Sequence, residues 1–218
     1  MNAAFAAEHF ARLDENPDSR FYSFPRKVVH IDDAAIGAVT QFLRETMPHD
    51  GIILDLLSSW RSHWPEDVPT RQLIGLGLNA EEMMDNPDLT DYVIHDVNSN
   101  PRLPFASHMF DAAIITVSIQ YLTRPIEVFQ DVNRILKPQA VFAVLFSNRM
   151  FPTKAVAIWR ALNDQQHLEL VQRYFQLAGN FVGIEAYDRS PPSTDYTDPL
   201  YVVLGRKGRC RAGHTGES

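Results

Sequence analysis

A single cysteine, Cys210, stands in this chain of 218 residues, so neither an internal disulfide nor a cysteine metal cluster is expected to hold the fold together. No apolar run approaches the ~20 residues that span a bilayer. The start of the chain also lacks the charged stretch and short apolar core of a signal peptide, so a cytoplasmic protein without membrane contact is expected. Cations are scarce beside acids, 20 Lys and Arg against 27 Asp and Glu, and the net charge of −7 argues against a nucleic-acid partner bound by covering phosphates. His30, His63 and His95 are scattered without metal-ligand spacing, so no metal is expected. A GxSxG turn and a P-loop are both missing, and Gly75-Leu76-Gly77 lacks the third glycine of a dinucleotide fingerprint. What remains is a chain with 45% hydrophobic and 22% charged residues, enough for one larger globular domain with a small molecule as partner. Oligomeric state is not legible.

The chain that is present is organised around residues 51–64. Ile52 to Leu56 reads as a buried parallel strand carrying one acid, Asp55, and small, polar and aromatic residues follow at once. In an open α/β sheet the ligand crevice lies outside the carboxyl ends of the strands, which would put Asp55 through Trp60 in it; an ordinary strand and loop is the other reading. Upstream, residues 3–13 suggest a short helix or frayed arm, and Phe21 to Arg26 an ordered extended segment, because its three aromatics are costly to leave in water. Asp32 and Asp33 cap a helix over 34–44. Downstream the pattern predicts strands at 72–78, 91–96, 110–118, 140–146, 181–187 and 200–205. Helices are predicted at 80–84, 124–136, 153–162 after Pro152, and 166–177. That order is a doubly wound α/β fold, seven strands in a mostly parallel sheet with an antiparallel C-terminal hairpin. Residues 1–50 read as an N-terminal arm and lid helix, 51–207 as the α/β domain and 208–218 as a flexible tail.

Leu103-Pro104-Phe105 followed by Phe110-Asp111 resembles the run before the fourth strand of the type 11 group of class I S-adenosylmethionine-dependent methyltransferases. Arg134-Ile135-Leu136-Lys137-Pro138 is similar to that group's arginine–leucine–lysine–proline run, and the likeness extends over about 51–147. Segments 55–65, 24–33 and 146–155 resemble a methyltransferase-like subgroup in which serine-serine-tryptophan replaces the glycine loop. The resemblance implies a Rossmann-like methyltransferase fold, S-adenosylmethionine as cofactor with S-adenosylhomocysteine as product, and methyl transfer to a small-molecule acceptor. A catalytically silent binding or scaffolding module on the same fold is the alternative. Leu57, Ser59 and Arg61 stand at the three glycine positions, Gly77 stands where an acid usually takes the ribose, and Gln139-Ala140 replace two glycines.

For the cofactor, the resemblance implies that Asp55 orients the methionine end and Asp96 meets the adenine with Val97 against the ring; alternatively, Asp96 only caps the turn from His95 to Asn98. Ser58 and Ser59 are small enough for close approach, Asn79 has the donors and acceptor to replace the ribose acid, and Ser118 begins the loop after the fourth strand. Trp60 is either a pocket wall or, with Trp64, core cover. For the acceptor, Tyr22, Arg26 and His30 are expected on a lid, while Gln120, Tyr121, Asn148, Arg149, Asp195 and Tyr196 come from loops beyond the later strands. Arg149 has a planar fork suited to a carboxylate, unless it pairs with Asp188 or Asp195. No catalytic base is assigned, because a sulfonium is already a strong electrophile and needs mainly an aligned acceptor and a dry site.

Overall fold

A computed structural model describes residues 5–192 and 196–209, so Asp195 and Cys210 lie outside the described residues. The central strands β1 (Ile52–Leu56), β4 (Phe110–Thr116) and β5 (Leu136–Phe146) are buried on both faces. Ile53, Ala112, Ile114, Val141, Ala143 and Leu145 face one core, and Leu54, Leu56, Ala113, Ile115, Phe142, Val144 and Phe146 the other. Two buried faces are why these strands read as continuous apolar runs rather than as alternation. With β2 (Gln72–Gly77), β3 (Asp91–Ile94), β6 (Phe181–Asp188) and β7 (Tyr201–Lys207) the sheet runs in the order β3-β2-β1-β4-β5-β7-β6. Only β7 is antiparallel, lying between β5 and β6. Helix α2 (Asp33–Thr46), capped by Asp32 accepting from Ala35 N at 2.9 Å, buries Ala35, Val39, Phe42 and Leu43 in the first core. The amphipathic α4 (Pro125–Ile135) and α6 (Asp164–Ala178) cover the second. Shorter pieces are α1 (Asp18–Phe21), α3 (Ala80–Met84) and α5 (Ala157–Ala161). Among the described residues no helix is long and apolar enough to cross a membrane.

The motifs behind the resemblance work far from the carboxyl edge of the sheet. Asp111 accepts from Ile52 N at 3.0 Å and from Lys137 Nζ at 2.7 Å, clamping the starts of β1, β4 and β5 together. Arg134 donates to the carbonyls of Leu103 and Phe105, at 3.0 and 2.8 Å, and pairs with Asp131, which in turn accepts from Leu103 N. Both runs therefore fix the fold.

Several expected elements differ. The helix expected over 153–162 is reduced to α5, because the preceding backbone is spoken for: Val156 N donates to Gln120 O and Ala157 N to Ala11 O. Phe21 ends the one-turn helix α1 instead of lying in an extended segment, and Phe24 is 75% exposed, so not all three aromatics find cover. Strand β5 begins at Leu136, directly after α4, with a register shift against β4 and Gln139 at φ 67°. Gln139 thus takes a left-handed backbone conformation that favours glycine.

Candidate active site

The sheet order reverses between β1 and β4, and a cleft of about 1170 Å³, counted out to its open mouth, lies there between the carboxyl ends of β1 to β4 and the segment 18–31, where the lid is expected. Leu57 leaves β1 at φ 62°, a left-handed conformation that side chains disfavour. This turn lets Ser58 N donate to Leu76 O at 2.9 Å and presses the Ser58 carbonyl onto Gly77, where an added Cβ would lie 2.3 Å from it. No side chain fits at Gly77 unless the turn moves, so this turn and an acid at position 77 are incompatible. Val117, just past β4, is at φ 52°, a strained setting for a β-branched residue, and it too lines the cleft.

Asp55 is 3% exposed, and its Oδ2 accepts from the hydroxyls of Ser58 and Ser62, each at 2.6 Å. Burial pushes its carboxyl up to about 6, although both serines pull the other way. A second buried acid, Glu82, accepts from Ser59 Oγ at 2.6 Å and from the backbone N–H of Arg26 at 2.5 Å. Asn79 caps α3 by accepting from Glu82 N at 3.0 Å and donates its amide to Tyr22 O at 2.9 Å. Trp60 donates its indole N–H to Val28 O at 3.1 Å. Together these bonds tie the lid to the β1 and β2 turns. On the opposite side Asp18 is gripped by Arg12 at 2.7 Å and Lys154 at 3.2 Å, all three little exposed, and by the half-buried Asn98 Nδ2 at 2.8 Å. Above β4, the Phe151 ring meets Phe21, His30 and Tyr121 at centroid distances of 5.5, 4.7 and 6.2 Å. Burial lowers the His30 imidazole against the opposing pull of Glu82, favouring its neutral form near pH 7.

Asp55, Ser58, Ser59, Trp60, Asn79, Asp96, Val97 and Ser118 all line this cleft, as do Tyr22, Arg26, His30 and Tyr121. Several are already engaged. The two functional groups of the Asn79 amide serve the cap and the lid. Asp96 accepts from Asn98 N, Ser99 N and Ser99 Oγ, so the turn-capping alternative is realised even though the residue borders the cleft. Ser118 Oγ donates to Thr116 O.

The remaining acceptor candidates are not brought there. Gln120 is fully buried and donates to the carbonyls of Val117 and Arg149. Arg149 pairs at 2.7 Å with Asp198, neither of the acids expected, and Tyr196 donates to the same carboxylate at 3.2 Å. Asp198 also exchanges bonds with Asp32 at the cap of α2, so Arg149 and Tyr196 close a structural knot on that helix. Asn148 is exposed and outside the cleft. Sequence reasoning passed over Glu82, Asp18 and Phe151. Glu82 is separated from Glu81, which is exposed and pairs with Lys27, only by the phase of a five-residue helix.

Residues 70–144 match the pattern of the methyltransferase domain family. The biotin biosynthesis bifunctional protein BioHC of Teredinibacter turnerae is 24% identical over 137 residues, which are 59% of this chain and 23% of that protein, so the chain spans about a quarter of the length of this relative. The S-adenosylmethionine dependent methyltransferase from Mesorhizobium loti superposes with a TM-score of 0.56 at 17% identity, covering 78% of this chain and 98% of that one. Phosphoethanolamine N-methyltransferase 2 of Haemonchus contortus, in complex with S-adenosyl-L-methionine, gives 0.60 at 14% identity over 95% of this chain and 61% of that one. The [4+2]-cyclase SpnF gives 0.61 at 15% identity over 87% and 91%.

Proposed function

From the premise that the chain has the class I methyltransferase fold and carries the methyltransferase domain pattern over residues 70–144, we propose that it binds S-adenosylmethionine in this cleft and methylates a small-molecule acceptor. The observation that carries this reading is the buried Asp55, held by two serines at the carboxyl end of β1 beside the switch point. Asp18, Glu82 and Asp96 join it around the cleft, a lining suited to a ligand with positive charges. Such a ligand has no phosphate, so the chain can dispense with a glycine cradle. When bound, the cofactor supplies an electrophilic methyl group on a sulfonium. Asp55 is assigned to its amino end, with Ser58, Ser59 and Trp60 along the β1 turn. Val97, 2% exposed, and Leu78 offer an apolar wall beside Asp96 and Asn79. Ser118 borders the reacting end, where the chain's task is to align the acceptor and exclude water.

One observation favours a silent binding module instead: the Leu57 side chain borders the cleft where the resemblance has glycine. Isothermal titration with S-adenosylmethionine and S-adenosylhomocysteine decides between them. Heat from both ligands is expected, while neither heat nor a thermal shift at millimolar ligand selects the silent module.

A further inference from the structure

Arg26 is a cation at the cleft without a counter-ion. Its guanidinium lies 4.1 Å over the Phe21 ring and 5.9 Å from that of Phe151, and Nη2 donates to Phe21 O at 3.0 Å. Nε is buried and has no partner, and no carboxylate among the described residues lies within ion-pair distance. The neighbouring acids are already engaged: Asp18 with Arg12, Lys154 and Asn98, and Glu82 with Ser59 Oγ and the Arg26 backbone rather than its side chain. Arg61, the other arginine of the cleft, is solvent-exposed and donates Nη1 to the carbonyls of Trp60 and Asp85, so it carries no buried N–H without a partner. A buried guanidinium N–H with nothing to donate to is costly, and its stacked plane holds the fork in one orientation. The walls beside it are aromatic: Tyr22, His30, Tyr121 and Phe151 line the same cleft.

Resting on the methyl-transfer reading above, we propose that Arg26 is the anion-recognition residue of the acceptor subsite, and that the acceptor is a small aromatic carboxylate. The guanidinium takes the carboxylate along its Nε edge, through Nε–H and the Nη2 hydrogen that Phe21 O does not use, and the rings take the planar body. Offset or edge-on ring contacts favour an aromatic body over a sugar or a peptide backbone, and the uncompensated cation favours an acid over an amine.

The test is calorimetric and needs no turnover. Benzoate, benzamide and benzylamine are titrated into the full chain, with and without saturating S-adenosylhomocysteine. Wild type should bind benzoate and reject the neutral and cationic analogues. Arg26→Gln should lose benzoate affinity by roughly 10–100-fold, the value of hydrogen bonds to a charged group. Arg26→Lys, which keeps the charge but not the fork, should fall between them and guards against misfolding of the glutamine variant. Affinity for S-adenosylhomocysteine should stay within about threefold of wild type in both variants, on the scale where tenfold is 1.4 kcal/mol. No benzoate binding to wild type, equal binding of benzamide, or unchanged benzoate affinity in both variants overturns the proposal. So does loss of S-adenosylhomocysteine affinity with benzoate unaffected, which would assign Arg26 to the cofactor's carboxylate. Benzoate binding that depends on Arg26 in a chain that ignores S-adenosylhomocysteine sinks the methyl-transfer premise and leaves the anion site standing.

Discussion

On the proposed reading, Asp55 pits stability against cofactor binding within one side chain. A carboxyl raised from 3.8 to about 6 by burial holds its proton more tightly in the folded chain than in the unfolded one. Stability is therefore lost as pH rises through about 6, and the ionised carboxylate penalises the fold above that by up to about 3 kcal/mol. Asp55→Asn keeps an oxygen for Ser58 and Ser62 and removes the charge. It should gain about 1–3 kcal/mol in urea denaturation at pH 7.5 and nothing near pH 4. A variant less stable than wild type at pH 7.5 would show that the carboxylate is stabilised by its surroundings rather than penalised. The same substitution should weaken S-adenosylmethionine binding, and wild-type affinity should rise with pH through about 6, because the ionised acid is the form that attracts an ammonium group. Calorimetry in buffers of different ionisation enthalpy would register the released proton.

At the level of elements, the lid depends on a buried charge cluster more than on apolar contact. Arg12, Asp18 and Lys154 have side chains 7%, 5% and 1% exposed, and Lys154 also donates to the carbonyls of Asp14 and Asn16. Removing one member of a buried pair leaves the other without compensation, at a cost of about 3–5 kcal/mol. Asp18→Ala should let the arm undock rather than unfold the sheet, since Val28, Val29 and Phe24 are at least 46% exposed and add little grip. Limited proteolysis should then cut within 5–31 at least tenfold faster, on the scale where 1.4 kcal/mol is a factor of ten. Amide protection of β1, β4 and β5 should persist. Protection lost throughout the sheet would mean the arm is integral to the core.

Across the molecule, three partly or fully buried histidines and the raised acid oppose one another in acid. Burial lowers His30, His63 and His167, so the unfolded chain takes up their protons first and stability falls as pH drops through about 6.5. Asp55 works in the opposite direction below about 6. Asp32 and Asp111, lowered in the fold, withdraw their contribution only below the ordinary carboxylate range. Thermal midpoints should therefore drop steeply below pH 4, and Asp55→Asn should lower the midpoint at pH 5 relative to that at pH 7, compared with wild type. A midpoint that rises on going from pH 7 to 5 would show that Asp55 outweighs the three histidines.

The succession of elements, the mostly parallel sheet and the apolar central strands were readable in the chain, because burial on both sides writes apolar runs, and helix ends write their caps in neighbouring residues such as Asp32 and Asn79. Pairings between distant segments left no such mark. Arg149 looked available until Asp198 took it, and nothing near Arg26 in the chain says that Glu82 would bond its backbone and leave its guanidinium without a counter-ion. The replaced glycines carry the same lesson: Leu57 and Gln139 stand where the resemblance has glycine, yet both adopt left-handed backbone because the packed strands hold them there. Local propensity sets elements within a few residues, whereas ionic partners and strained dihedrals are fixed by contacts between parts of the chain that meet only after the sheet has formed.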